Sequence, residues 1–148
     1  MTTRAELVAE ARTWIGTRYR HQARRKGVAV DCIGLVGGVA LACGVPNAAE
    51  WERDADLHCY ARTPEPTLLL SSCARFLDRV PVESAREGDV LLFALQEQPR
   101  HFAILVQAEP ARVVHAYALL SARRVVEQPL PIARARVLAA FQFKGLDA

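Results

Sequence analysis

The sequence has 148 residues, of which 51% are hydrophobic and 24% are charged, and its formal net charge is +3. These values are typical of one soluble globular domain, covering residues 1–148, that is long enough to bury a core. So small a positive charge does not indicate nucleic-acid binding, and no apolar stretch is long enough to span a bilayer. We therefore expect neither a nucleic-acid partner nor insertion into a membrane.

The four cysteines, Cys32, Cys43, Cys59 and Cys73, show no C-x-x-C spacing. The N-terminal residues lack the apolar segment of a signal peptide, so we expect a protein made in the cytoplasm with reduced thiols. This pattern disfavours both a disulfide framework and a structural zinc site.

The first predicted element is an amphipathic helix. Thr3 and Glu6 have the spacing of a capping box, which predicts a helix running to about Ile15 with Leu7 on its apolar face. A polar segment, Thr17 to Val30, follows it. Its five cations are Arg18, Arg20, Arg24, Arg25 and Lys26. The segment is either a solvated loop or an anion-attracting rim beside a cleft, and the sequence leaves both interpretations open.

The longest uncharged stretch, Cys32 to Val45, predicts a buried helix. Asp31 is a good N-cap, and Gly44 followed by Pro46 marks the end of the helix. Cys32 then lies in the first turn, where backbone N–H groups favour a thiolate, so we expect its pKa below the ordinary value. A small buried core residue is the alternative interpretation of this cysteine. Three glycines in the helix suggest that another element approaches closely. They are Gly34, Gly37 and Gly38.

The rest of the chain changes from helical to strand periodicity. Asn47 to Pro66 is expected to be a long irregular stretch with an acidic cluster, pinned by Trp51. Thr67 to Val80 has the spacing of a second amphipathic helix, with Cys73 in the core. The predicted strands are Val90 to Phe93, His101 to Val106, Val113 to Tyr117, Arg124 to Glu127 and Val137 to Phe143. Helices before strands, joined by short connections, indicate an α+β fold with helices packed on a mostly antiparallel sheet of about five strands.

Two histidines lie on neighbouring predicted strands. If the two strands form a hairpin centred near Ala108, His101 and His115 oppose each other on one face, and a two-residue slip leaves them diagonal neighbours. An odd register would place them on opposite faces. Together with Cys32 they supply the parts of a thiol hydrolase: a nucleophile, a base that takes its proton, and a group that orients the base. Two independent histidines are the alternative interpretation.

Several motifs occur in the order found in a known family. They are Tyr19, Asp31-Cys32-x-Gly34-Leu35, Glu87-Gly88-Asp89-Val90-Leu91-Leu92-Phe93, His101-Phe102-Ala103-Ile104 and Val114-His115-Ala116. In this order the chain resembles the NlpC-type cell-wall peptidases, which are papain-like cysteine peptidases that cut peptidoglycan stem peptides. Tyr19-Arg20-His21-Gln22 and the late Ala140-Phe141-Gln142-Phe143 resemble most the stand-alone peptidases of phage tails and gene transfer agents.

The resemblance implies roles for individual residues. Cys32 would be the nucleophile, His101 the general base and His115 the orienting third member. Tyr19 and Asp31 would line the substrate subsite, with Asp31 facing the free amino group of the stem's L-alanine. The bond cut would be that between D-γ-glutamate and the diamino acid, and no metal or organic cofactor is implied. The chain departs from the family pattern at Ile33, where a serine is usual, and at Arg20-His21, where Trp-Gly is usual.

The implied substrate lies outside the cytoplasm, so we expect a carrier. A phage tail or tail-like particle would bring the domain to the cell wall, with Asn47 to Pro66 as the candidate docking surface. Three alternatives remain. A secreted antibacterial amidase would share the fold and catalytic residues, and a catalytically silent tail-tip component would keep only the fold. A zinc hydrolase would use Cys32, His101 and His115 as metal ligands.

Overall fold

The computed structural model describes residues 2–58, 73–94, 101–117, 123–130 and 136–147, and for residues 55–58 and 117 it describes the backbone alone. The helices are α1 (Arg4–Thr13), α2 (Cys32–Ala42) and α3 (Ala48–His58), with a short 3-10 helix at Val82–Ser84. The strands are β1 (Arg24–Arg25), β2 (Ala29–Val30), β3 (Leu77–Val80), β4 (Val90–Ala94), β5 (His101–Ala108), β6 (Ala111–Tyr117), β7 (Arg124–Pro129) and β8 (Arg136–Phe143). Over these described ranges no helix is long and apolar enough to cross a membrane.

Six of the strands form one sheet in the order β3-β8-β4-β5-β6-β7, while β1 and β2 pair separately. All five neighbouring pairs in the larger sheet are antiparallel. Helices α1 and α2 both contact β5, which lies near the middle of the sheet. The predicted α+β fold is therefore confirmed, with one strand more in the sheet than the sequence indicated.

The additional strand, β3, corrects the helix predicted over Thr67 to Val80. Residues 73–76 are helical, but the next four form an edge strand in which Leu77 pairs with Phe143 of β8. A short edge strand depends on its distant partner, and the local spacing of apolar residues carries no signal of that partner. Cys73 is fully buried, as predicted. The first part of the predicted helix, residues 67–72, lies outside the described residues.

A second correction concerns Asn47 to Pro66, because residues 48–58 form α3 rather than an irregular stretch. Trp51 is buried and packs edge-on against Phe76 and Phe102, with ring centroids 5.9 and 6.1 Å apart. The helix is therefore stabilised by aromatic contacts with residues far away in sequence, which the acidic composition of the stretch does not indicate. Its remainder lies outside the described residues.

Helix α1 begins with the predicted capping box, in which Thr3 and Glu6 each donate a backbone N–H to the side chain of the other. Leu7 is buried on its apolar face, as predicted, but the helix ends at Thr13, before the expected Ile15. Beyond that end Ile15 is 46% exposed and Trp14 is buried. The Trp14 ring occupies the space that a Cβ on Gly38 would need. The expected close approach to the glycines of α2 is therefore confirmed.

Candidate active site

The start of α2 is held by a buried carboxylate. Asp31 is 2% exposed, and its Oδ1 accepts a hydrogen bond from the Gly34 N–H at 2.8 Å, as the predicted N-cap requires. Its Oδ2 accepts from the Gln22 N–H at 2.8 Å. A Cβ on Gly34 would lie 2.6 Å from the Ala23 carbonyl oxygen, so only glycine permits this approach. Asp31 and Gly34 together attach the β1–β2 segment to the first turn of the helix.

Cys32 lies in that first turn, as predicted, but its ionisation differs from the expectation. Burial and the neighbouring Asp31 carboxylate raise the pKa of the Cys32 thiol to about 12, against the N–H groups of Phe102, Ile33 and Cys32 itself, which lower it. The residue is 7% exposed. The N–H groups near the helix N-terminus do lower the pKa of Cys32, as expected, but desolvation outweighs them. The resting thiol is therefore neutral.

The Cys32 sulfur lies near the start of β5, because the Phe102 N–H contributes a hydrogen bond to it. The ladder between β5 and β6 runs from Ala108 back to Ile104, with a register shift between Leu105 and Gln107. Leu105 donates its N–H toward β4, to the Asp89 carbonyl. Strand alternation therefore turns the N–H of Phe102 to the other side, toward β6. That N–H is donated to the Cys32 sulfur. The thiol thus lies beside the first residues of β5.

The two histidines are in direct contact. Nε2 of His101 lies 2.6 Å from Nδ1 of His115, with the rings edge-on and their centroids 4.9 Å apart. Both residues are 0% exposed. Because Ile104 pairs with Val114, continuation of that register sets His115 opposite the residue two positions after His101. The histidines are therefore diagonal neighbours on one face, which is the slipped arrangement among those that the sequence allowed.

A third polar side chain, Gln128, continues this row on β7. Its Oε1 lies 2.7 Å from Nε2 of His115. Gln128 pairs with Val113, two residues before His115, so it occupies the same face of the sheet. Sequence analysis missed this residue because it ended the strand at Glu127. Continuing the strand alternation by one residue would have placed Gln128 in β7. That placement indicates a contact with His115 only once the strand order is known.

Burial keeps both imidazoles neutral. It lowers the pKa of His101 to about 3, and the neighbouring His115 adds to the effect. Burial also lowers the pKa of His115, although the hydrogen bond with Gln128 opposes that change. At neutral pH both rings are neutral imidazoles, each with one N–H and one nitrogen that can accept a proton.

The predicted subsite residues, Tyr19 and Asp31, lie close to each other at the start of α2. Tyr19 is half-buried, forms a bridge with Val30 directly before Asp31, and donates its N–H to the Arg123 carbonyl at 2.8 Å. His21, which stands in the unusual Arg20-His21 pair, is exposed.

Two cations of the polar segment have specific partners. Arg24 donates to the Glu52 carbonyl at 2.8 Å, and Lys26 forms an ion pair with Glu10 at 3.0 Å. Part of the segment is therefore a structural contact rather than a solvated loop. Among the side chains that the structure describes, no three of His, Cys, Asp or Glu are grouped so that they could hold a metal ion.

No protein-family model matches the sequence, and no curated protein matches it. Solved structures do match. The NlpC/p60 domain of the peptidoglycan hydrolase SagA is 18% identical with a TM-score of 0.58, over 95% of this chain and 99% of that one. NlpC2 from Trichomonas vaginalis is 15% identical with a TM-score of 0.65, over 95% of this chain and 46% of that one.

A third match is an NlpC/p60 family protein from Bacillus cereus ATCC 10987, 16% identical with a TM-score of 0.64, over 97% of this chain and 41% of that one. The chain spans less than half of the length of this protein and of the Trichomonas protein. At such low identity the agreement concerns the arrangement of helices and strands. The chain therefore has the papain-like α+β fold of NlpC/p60 domains.

Proposed function

We propose that this protein is a cysteine peptidase that hydrolyses peptidoglycan stem peptides. Cys32 is the nucleophile, His101 the general base and His115 the residue that orients the base. The observation that carries the proposal is the buried contact of 2.6 Å between His101 and His115, with the Cys32 sulfur bonded to the backbone of the residue after His101. A nucleophile beside a base that is held by a third group is the arrangement that nucleophilic catalysis requires.

The chemical step follows from the ionisation of the resting site. Nε2 of His101 faces His115, so Nδ1 is the nitrogen that takes the Cys32 proton. Since burial disfavours a thiolate, we infer that this proton moves as the sulfur attacks the amide carbonyl, not before. The tetrahedral oxyanion needs backbone donors, for which the Cys32 N–H at the helix start is the candidate. The amine leaves with the proton held by His101, and water then hydrolyses the acyl-enzyme.

The proposed substrate is a stem peptide with a free L-alanine amino group, cut between D-γ-glutamate and the diamino acid. Support comes from the Asp31 carboxylate next to Cys32 and from Tyr19 beside it, since a buried carboxylate attracts an ammonium group. Acetylating the amino group of a stem tripeptide should therefore raise the Michaelis constant strongly. Equal cleavage of free and acetylated tripeptides would contradict this role of Asp31.

We further propose that a phage tail or tail-like particle carries the domain to the cell wall, with Asn47 to Pro66 as the docking surface. Support comes from the sequence resemblance of the segment around Tyr19 and of Ala140 to Phe143. Fractionation of a producing culture, followed by mass spectrometry of the particle peak, tests this. Particles without the protein would contradict it, and a free secreted form would favour the antibacterial amidase.

Digestion of purified peptidoglycan, followed by mass spectrometry of the released peptides, tests the activity and the bond together. The parent should release fragments that end at D-γ-glutamate, and Cys32→Ala should release none. Cys43→Ala is the matched control, because Cys43 is a half-buried thiol at the opposite end of α2. No release by the folded parent would favour the silent tail component, which the buried neutral thiol also fits. Loss of activity with a chelator would favour the zinc hydrolase.

A further inference from the structure

We propose that Gln128 is a positioning residue that selects the tautomers of both histidines and so makes His101 a base toward Cys32. With Gln128 the proposed site has four residues rather than three. The proposal rests on the proposed function for its effect on rate, whereas the tautomers themselves can be observed without any substrate.

The side chains of His101, His115 and Gln128 form one continuous row across the neighbouring strands β5, β6 and β7. Nε2 of His101 meets Nδ1 of His115 at 2.6 Å, and Nε2 of His115 meets Oε1 of Gln128 at 2.7 Å. The positions around the two histidines on this face are apolar and buried, among them Ala103 and Val113, whereas Gln128 itself is half-buried. A hydrogen bond within such surroundings is costly to reverse or to leave unmade.

Each bond in the row fixes the next. An amide oxygen can only accept, so Nε2 of His115 must carry the proton that it donates to Gln128. A neutral imidazole has one N–H, so Nδ1 of His115 is an acceptor and Nε2 of His101 must donate to it. Nδ1 of His101 is then left with its lone pair. The opposite orientation of the amide would reverse every donor and place a proton on the nitrogen that has to receive one.

The proton balance of the chemical step agrees with this order. The S–H bond of Cys32 breaks, its proton goes to Nδ1 of His101, and the sulfur electron pair forms the bond to the carbonyl carbon. The resulting imidazolium donates through Nε2 to His115, and His115 donates to Gln128. No proton needs to move between the two histidines, and the row stabilises the positive charge by oriented acceptors, Nδ1 of His115 and Oε1 of Gln128.

Nitrogen-15 NMR of the full-length chain, with correlations between ring nitrogens and ring carbon-bound protons, reports the tautomer of each histidine. At pH 7 the parent should show both His101 and His115 protonated on Nε2. Gln128→Glu keeps an acceptor and cannot donate, so it should keep these tautomers. Gln128→Leu removes the acceptor and should give a mixture at His115. Gln107→Leu is the matched control, since this half-buried glutamine bonds to Pro110 at the far end of the hairpin.

Kinetics on a stem tripeptide give the second readout. Gln128→Leu should lower kcat about 10-fold to 100-fold with little change in KM, a smaller loss than the ~10⁴-fold caused by a wrong tautomer in a serine triad. Gln128→Glu should retain turnover and move the acidic limb of the pH profile to higher pH, because a carboxylate favours the imidazolium.

A proton on Nδ1 of His115 in the parent would overturn the proposal. So would a Gln128→Leu variant with the tautomers and kcat of Gln107→Leu. If Gln128→Leu does not fold, the parent and Gln128→Glu spectra still decide the question. A parent with the expected tautomers and no hydrolysis would overturn the proposed function while leaving the role of Gln128 in place.

Discussion

Lowering the pH from 7 to 5 should destabilise the folded protein through His101, and His101→Gln should remove that part of the loss. Gln places an amide near the position of Nε2 and keeps a polar partner for His115, but it does not titrate. The comparison therefore isolates the cost of keeping one buried imidazole neutral.

The magnitude follows from the pKa of His101, which is about 3 in the folded protein against an ordinary value of 6.5. The folded pKa lies below the unfolded one, so the unfolded chain takes up a proton first as the pH falls. The stabilisation is thus complete above pH 6.5 and is lost as the pH falls from there toward 3. At pH 5 the loss is roughly 2 kcal/mol, from 1.36 kcal/mol for each pKa unit.

Denaturant unfolding at pH 7 and pH 5 measures this difference. The free energy of unfolding of the parent should fall by about 2 kcal/mol more than that of His101→Gln. His21→Gln is the matched control, because His21 is exposed, and it should behave as the parent does. Equal losses in the parent and His101→Gln would refute the inference that His101 is buried in its neutral form.

Three further predictions concern the thiol, a glycine and a buried carboxylate. The alkylation rate of Cys32 should keep rising with pH up to at least pH 10, because burial raises its pKa to about 12; a plateau near pH 7 would show a resting thiolate. Gly34→Ala should lower the free energy of unfolding, measured by denaturant titration, by about 1–3 kcal/mol, since its Cβ would lie 2.6 Å from a backbone oxygen. Asp89→Asn should destabilise by about 1–3 kcal/mol, because this fully buried carboxylate binds Arg4 at 2.5 Å. Asp78→Asn removes an exposed ion pair and should destabilise the protein by under about 1 kcal/mol. Equal effects of Asp89→Asn and Asp78→Asn would contradict the role of burial.

The site shows where prediction from sequence stops. Asp31 as an N-cap and Cys32 in the first turn were predicted, since a cap bonds to an amide only three residues away. The pKa of Cys32 was predicted in the wrong direction, because burial raises it and α2 is packed against β5 and β6, which come much later in the chain. The contact between His101 and His115 was one of several permitted registers, and Gln128 was not predicted at all.

By itself the sequence determined the features that depend on neighbours within about four residues. These include the capping box at Thr3, the limits of α2, and the change from helical to strand periodicity that indicates an α+β fold. The tertiary structure decided what depends on distant partners: the aromatic contacts that hold α3, the edge strand β3, and the alignment of His101, His115 and Gln128 across three strands. The physical reason is that strand order and register bring together side chains far apart in the chain, and local periodicity carries no record of which strands will be neighbours.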